Sequence, residues 1–417
     1  MKAFTGNETT NGWGKVRIGD SLRLINGRAF KPSEWRQRGL PIVRIQNLNN
    51  PEAPFNYYEG DLPEKFLLNN GDLVFAWSGT PGTSFGAHIW RGGKAWLNQH
   101  IFKVLFDEAE FNKKFLQLAI NQNLNEYIRA AHGGAGLAHI TKGRFEQSEL
   151  VKPTLDEQRN IVAEIEKQFS RLDEAVANLK RVKANLKRYK ASVLKAAVEG
   201  KLAQTERPWK QVLLGDIATS IRNGYAKKPD AEQGTRIFRI SAVRPMELDV
   251  NDVRYLSGTP ADYQTFLIES GDVLFTRYNG SRDYVGVCAR IPACLPPTVY
   301  PDKLIRVRVQ GSMVLPEFLV ILASAGRARE YIESKIRTTA GQSGISGSDL
   351  KSLPLDIPKV TDQEQIVAEV ERRLSVIEEL EAAVQANLTR ADRLRQSVLA
   401  NAFSGKLLRA SRRKVSA

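Results

Sequence analysis

The sequence predicts two mixed α/β globules, two copies of one plan, alternating with two long helices that form an antiparallel coiled coil. Three observations predict it. A stretch at 155–202 has no Gly or Pro before Gly200 and carries apolar residues at heptad spacing. A second copy of that stretch lies at 361–407. The segments ahead of the two copies echo each other as well.

The first helix places Ile165, Phe169, Leu172, Val176, Leu179, Leu186 and Val193 at steps of four, three, four and three, then seven and seven. Lys183 and Lys190 fill the skipped positions; their stems can pack at the seam while the amines reach water. In the second copy Ile161-Val162-Ala163-Glu164 recurs as Ile366-Val367-Ala368-Glu369, and Gly200-Lys201-Leu202 as Gly405-Lys406-Leu407, at a constant offset of 205. Its stripe is Val370, Leu374, Ile377, Val384, Ala391 and Val398. A helix of about 44 residues is ~66 Å long. Alone it would expose its stripe, so the two copies are expected to bury their stripes against each other, antiparallel.

The globules repeat with a drifting offset. Trp13 to Asp20 is echoed by Trp209 to Asp216 at 196, and Phe66 to Phe75 by Phe266 to Phe275 at 200. Small insertions have accumulated in the second globule while helix length was held. The expected division is a first globule at 1–152, a helix at 153–204, a second globule at 205–358, a helix at 359–407 and a basic tail at 408–417. Within the globules, Ile42-Val43-Arg44-Ile45 and Arg236 to Ile240 read as strands. Gly71-Asp72 and Gly271-Asp272 read as turns into strands at 73–76 and 273–276. Stretches 100–106 and 303–309 are further strands; 111–129 and 316–333 read as helices. Glycine-rich loops follow at 133–136 and 338–344, and Pro153 and Pro358 stop each globule ahead of its helix.

The formal charge is +15 and the isoelectric point is near 9.7, which favours a polyanionic partner. Two cysteines, Cys288 and Cys294, and four histidines make neither a disulfide framework nor a zinc set. No apolar run is long enough to span a membrane, and the first residues lack the apolar segment of a secretory signal. A cytoplasmic protein is expected.

No catalytic signature stands out. There is no Gly-x-x-x-x-Gly-Lys-Ser/Thr phosphate loop, no Gly-x-Gly-x-x-Gly after a strand, and no Asn/Asp-Pro-Pro-Tyr/Phe tetrapeptide of the kind that amino-group methyltransferases use. Asp61 and Glu64-Lys65 only loosely follow a nuclease carboxylate spacing. His100 and His139 read as structural or DNA-facing. What remains is a binder whose loops carry groups suited to base edges and phosphates. The first globule offers Arg44, Gln46, Asn47, Trp77 and Ser78; the second offers Lys227, Lys228, Arg239, Ser241, Arg277, Tyr278 and Asn279. Arg forks onto guanine, Asn and Gln fork onto adenine, and Tyr and Trp stack or wedge. The competing reading is a non-catalytic coiled-coil scaffold presenting two protein-binding globules.

The ordered double set resembles the specificity subunit of type I restriction–modification systems, over nearly the whole chain from Trp13 to Leu407. Its carriers are the two Gly-Asp turns, the Gly344-Ile345-Ser346 element with its looser first copy Gly136-Leu137-Ala138, and the helix starts at Glu157-Gln158 and Glu364-Gln365. The resemblance implies that each globule is a target recognition domain reading one half of a bipartite, asymmetric site in double-stranded DNA. It implies helices that act as a ruler and dock two modification subunits, which carry S-adenosylmethionine and methylate adenine N6. It also implies restriction subunits with ATP and Mg, and no catalytic site or cofactor in this chain.

Overall fold

The computed structural model describes residues 12–50, 52–79, 84–124, 127, 138–203, 205, 207–339 and 341–408. The glycine-rich run at 133–136, the Gly136-Leu137 part of the looser element and the basic tail at 409–417 lie outside the described residues.

Two helices of 44 residues each, Leu155–Val198 and Val360–Phe403, dominate the secondary structure. Each stops where the repeated Gly-Lys-Leu begins. Gly200 and Gly405 take positive φ, 62° and 72°, which glycine adopts without Cβ strain. Beside Gly200 the Lys201 N–H reaches back to the Ala196 carbonyl, closing off the last turn.

The chain divides into two compact units, Met1–Asn178 with Asn387–Ala417, and Leu179–Ala386. Each unit holds one globule and part of each helix, so the start of one helix lies with the end of the other. In the first unit Ile165 and Ala391 are buried, and Phe169, Leu172, Val176 and Val398 are half-buried. In the second, Leu186, Val193, Val370, Ile377 and Val384 are buried, and Leu179 and Leu374 half-buried. Asp173 pairs with Arg395 in the first unit, and Lys183 donates to Gln385 in the second. Within the second unit Lys183 meets Gln385 and Tyr189 meets Arg373, so numbering rises along one helix as it falls along the other: the segments are antiparallel. Lys183 is exposed and Lys190 half-buried at the skipped positions.

Both globules are built alike. A short two-stranded clamp closes each one at its junction with the helices: Gly14–Arg17 with Glu149–Lys152, and Lys210–Leu213 with Pro354–Ile357. Each has a four-stranded antiparallel sheet. Its order is Leu22–Asn26, Ile101–Phe106, Leu73–Ala76, Gly86–Ile89 in the first unit, and Ala218–Asn223, Leu304–Val309, Val273–Thr276, Cys288–Arg290 in the second. A smaller mixed sheet contains one parallel pair in each, Leu40–Val43 beside Ala95–Leu97 and Thr235–Phe238 beside Thr298–Val299. One apolar core joins the first sheet to the helices. In the first unit Phe75, Phe102 and Phe145 pack with Ile161, Ile165 and Ala402. In the second Phe275 and Phe318 pack with Val193, Ala197 and Ile366.

Two local expectations change. The helix expected at 316–333 is two, Pro316–Ser324 and Gly326–Lys335. Ala325 between them is extended, at φ −152° and ψ 166°. Gly326 sits at φ 60°, and a Cβ there would lie 2.8 Å from Val198 Cγ2, so the lack of a side chain admits the close approach of the long helix. The glycine-rich stretch at 338–344 is not an open loop: Arg337–Thr339 and Gln342–Gly344 pair as a hairpin.

The helix starts also differ from the sequence reading. The buried, equivalent glutamines are Gln158 and Gln363, both 0% exposed, whereas Gln365 is exposed. Gln158 accepts from Asn112 N–H at 2.8 Å and donates to the Glu110 and Pro153 carbonyls at 2.9 and 3.0 Å. Gln363 accepts from Leu315 N–H and donates to the Met313 and Pro358 carbonyls, each at 2.9 Å. The amide staples each globule to the start of its helix. The constant offset of 205 pairs these two residues and was the signal to follow.

Candidate nucleic-acid interface

The Gly-Asp turns set the geometry of the site. Gly71 and Gly271 hold φ of 89° and 86°. Asp72 and Asp272 then accept from the N–H three residues back, at Asn69 (2.8 Å) and Glu269 (2.7 Å). A cation from the neighbouring strand neutralises each. Lys103 lies 2.8 Å from Asp72 and also donates to the Leu67 carbonyl. Arg308 forks onto Asp272 at 2.7 and 2.9 Å, and Arg306 donates to the Leu267 carbonyl. The strands that follow, Leu73–Ala76 and Val273–Thr276, are buried throughout. They deliver residues 77 and 277 at a fixed point.

Backbone hydrogen bonds show that these two positions occupy one frame. Trp77 N–H donates to the His100 carbonyl and its own carbonyl accepts from Ile140. Arg277 N–H donates to the Lys303 carbonyl and its carbonyl accepts from Ile345. The next residue enters a two-residue ribbon strand, with Ser78 opposite His139 and Tyr278 opposite Gly344. Small faces large in one globule and large faces small in the other. A Cβ on Gly344 would lie 2.3 Å from the Tyr278 ring, which explains the glycine of Gly344-Ile345-Ser346. Ile345 supplies the frame bond, and Ser346 caps the following turn through Asp349.

Around Trp77 the rings of His100 (5.1 Å), Phe102 (5.8 Å) and His139 (4.7 Å) close in. Burial, with His139 adding to it, holds the His100 imidazole below the usual histidine range. Arg277 lies over the Tyr278 ring at 4.6 Å and donates through one terminal nitrogen to the Asp302 carbonyl at 3.3 Å.

The other sequence candidates divide by what already occupies them. Arg44 and Arg239 are equivalent, each leading a short helical turn that returns an N–H to its carbonyl, from Asn47 and Ala242. Arg44 faces the Trp35 ring at 5.4 Å. Arg239 is paired with Asp252 at 3.2 Å, and Ser241 donates to the same carboxylate. Gln46, Lys227 and Lys228 are exposed and Ser78 is half-buried. Asn279 accepts from Ser281 N–H within its own turn.

Asn47 is a correction. It is 3% exposed; its oxygen accepts from Arg44 N–H and its nitrogen donates to the Ala53 and Pro54 carbonyls. Its amide builds the turn and cannot reach a base. Two exposed residues that the sequence reading did not single out are Gln342, where the second-globule hairpin reverses opposite Thr339, and Lys303, at the position of His100. The Thr-Thr and Gln-Ser pairs flanking Ala340-Gly341 were the available hairpin signal.

Residues 10–188 match the family model described as the type I restriction modification DNA specificity domain. The EcoKI specificity subunit of Escherichia coli K12 is 36% identical over 97% of this chain and 91% of its own length. The StySPI specificity subunit of Salmonella potsdam is 28% identical over 95% of this chain and 89% of its own length. Among solved structures, the HsdS subunit from Thermoanaerobacter tengcongensis superposes with a TM-score of 0.57 at 18% identity, covering 97% of this chain and 100% of that one. A chain from work on assembly and conformational transition of the type I R-M system reaches a TM-score of 0.74, also at 18% identity and with the same coverage. With the extent and identity of the EcoKI match, this chain belongs to the family of type I restriction enzyme specificity subunits.

Proposed function

We propose that this chain is the non-catalytic, sequence-reading subunit of a cytoplasmic DNA adenine methyltransferase and endonuclease complex. The globules at 1–152 and 205–358 each read one half of a bipartite, asymmetric site in duplex DNA. The observation that carries this reading is the frame built twice, with Trp77 and Ser78 in one copy and Arg277 and Tyr278 in the other. A repeated scaffold with exchanged side chains suits a protein that must read two different half-sites.

The net charge of +15 supports a polyanionic partner. Lys227 and Lys228 supply cations, and Gln46 an amide, at exposed loop positions, and half-buried Arg44 adds a cation beside the Trp35 ring. The helices at 153–204 and 359–407 set the spacing of the half-sites and dock two modification subunits. Exposed Val182, Tyr189, Val376 and Leu380, on the second unit's helix segments, favour a protein partner there. S-adenosylmethionine belongs to those subunits; ATP and Mg belong to the restriction subunits that complete the nuclease.

The test is methyl transfer in vitro. Purified chain with DNA and S-adenosylmethionine should transfer nothing, and adding the modification subunit should produce adenine methylation within one bipartite motif. Turnover by the chain alone would overturn the assignment.

A further inference from the structure

Resting on that reading, we propose that residues 77 and 277 are the paired specificity-determining residues of the two half-sites. Each meets an acceptor on a base edge, and Arg277 takes guanine. Three observations carry the proposal.

The first is the shared frame. Backbone bonds place Trp77 and Arg277 at the same end of the same central strand, each pinned on both sides. The second is the pattern of exchange around it. The frame-makers are retained: Gly71 with Gly271, Asp72 with Asp272, Phe75 with Phe275, and Ile140 with Ile345. The side chains they present are not. Ser78–His139 becomes Tyr278–Gly344 across an equivalent ribbon, and His100 becomes Lys303. Bulk moves from one strand to the other while the backbone stays, so the surface changes chemistry without disturbing the core.

The third is unmet hydrogen bonding in both copies. Trp77 Nε1, His100 Nδ1 and Arg277 Nε are buried and have no hydrogen-bond partner among the described residues. Folded proteins pair nearly all such atoms. The indole and guanidinium groups only donate, so a partner for either must be an acceptor. At Arg277 one terminal nitrogen holds the Asp302 carbonyl and the Tyr278 ring backs the guanidinium plane. The guanidinium can then turn its remaining donors onto the O6 and N7 acceptors of guanine. A phosphate oxygen offers acceptors too, but it would be met equally on every sequence.

The experiment uses the complete modification complex and maps methylated adenines genome-wide for the natural chain, Trp77→Phe and Arg277→Lys. Trp77→Phe keeps the ring and removes the donor; Arg277→Lys keeps the charge and removes the fork. A bipartite motif from the natural chain tests the functional reading first. The proposal then expects Trp77→Phe to relax one base pair in one half, and Arg277→Lys to relax a G·C pair in the other half. Discrimination at each should fall roughly 5- to 150-fold. The untouched half, still strict, reports that the variant is folded and assembled. An unchanged motif, relaxation of the same half by both variants, or a uniform loss of methylation on all sequences would each overturn the proposal, the last by making the seat a phosphate contact. Absence of any motif from the natural complex would instead count against the functional reading.

Discussion

Replacing Gln158 by Ala should loosen the first unit from its helix start, and Gln363→Ala should do the same to the second. Each amide is fully buried and makes three hydrogen bonds, all to backbone groups, two of them bonds to carbonyls and one from an N–H. Truncation strands those three groups. A buried polar group left unpaired costs about 1–3 kcal/mol. The bonds to Pro153 and Pro358 are fully buried and the other two in each set are partly so, which places the sum at ~3–5 kcal/mol by the same reckoning. That is a large share of the ~5–15 kcal/mol that holds an ordinary domain folded. Hydrogen exchange read by mass spectrometry, alongside urea unfolding, measures it. Gln158→Ala should cost protection in residues 12–178 and 387–408 while the second unit keeps its own; Gln363→Ala should show the reverse. A loss below about 1 kcal/mol for both would refute the staple, because it would mean that water satisfies the stranded groups freely.

Asp272→Asn should be more damaging than Asp72→Asn. Asp272 is 1% exposed between Arg308 and Arg306, and breaking a buried pair costs about 3–5 kcal/mol, whereas the Asp72 side chain is 24% exposed; denaturant titration of both variants compares them. Lengthening the first helix by one turn, with a matching turn in the second to keep the stripes in register, adds ~5.4 Å. The unread spacer of the methylated motif should grow by about one or two base pairs, at ~3.4 Å per step; an unchanged spacer would end the idea of a ruler. Because His100 is held below the ordinary histidine range, its contribution to stability is complete above the unfolded value of 6.5. That contribution is lost as pH falls through 6.5 toward the folded value. An imidazole titration by NMR should place its midpoint below that of an exposed histidine, and a normal midpoint would contradict the burial argument.

The long helices were legible because their signal is long. A heptad stripe sustained over 44 residues, and then repeated, calls for a long apolar partner, and the antiparallel sense was expected from chain connectivity. The Gly-Asp turns and the strands at 73–76 and 273–276 were legible for a similar reason, since a positive-φ glycine before a buried apolar run has few alternatives. The break at Gly326 was not legible. The need for glycine there depends on where Val198 arrives from more than a hundred residues earlier, and helical periodicity says nothing of that. Asn47 misled in the same way, because an amide that can fork onto adenine can also cap a turn, and only the positions of the Ala53 and Pro54 carbonyls decide which. Arg277 and Trp77 were placed in one neighbourhood from the offset of 200. The swap of Ser78–His139 for Tyr278–Gly344 needs the cross-strand register, which the sequence does not print.

The measurement that tests the central claim most directly is methylome sequencing of cells that express this chain with its neighbouring modification subunit. The account predicts a new N6-methyladenine motif made of two defined, unlike halves around an unread spacer. With the complex shown to assemble and to bind S-adenosylmethionine, no motif, or one continuous or palindromic motif, would contradict two globules reading two half-sites.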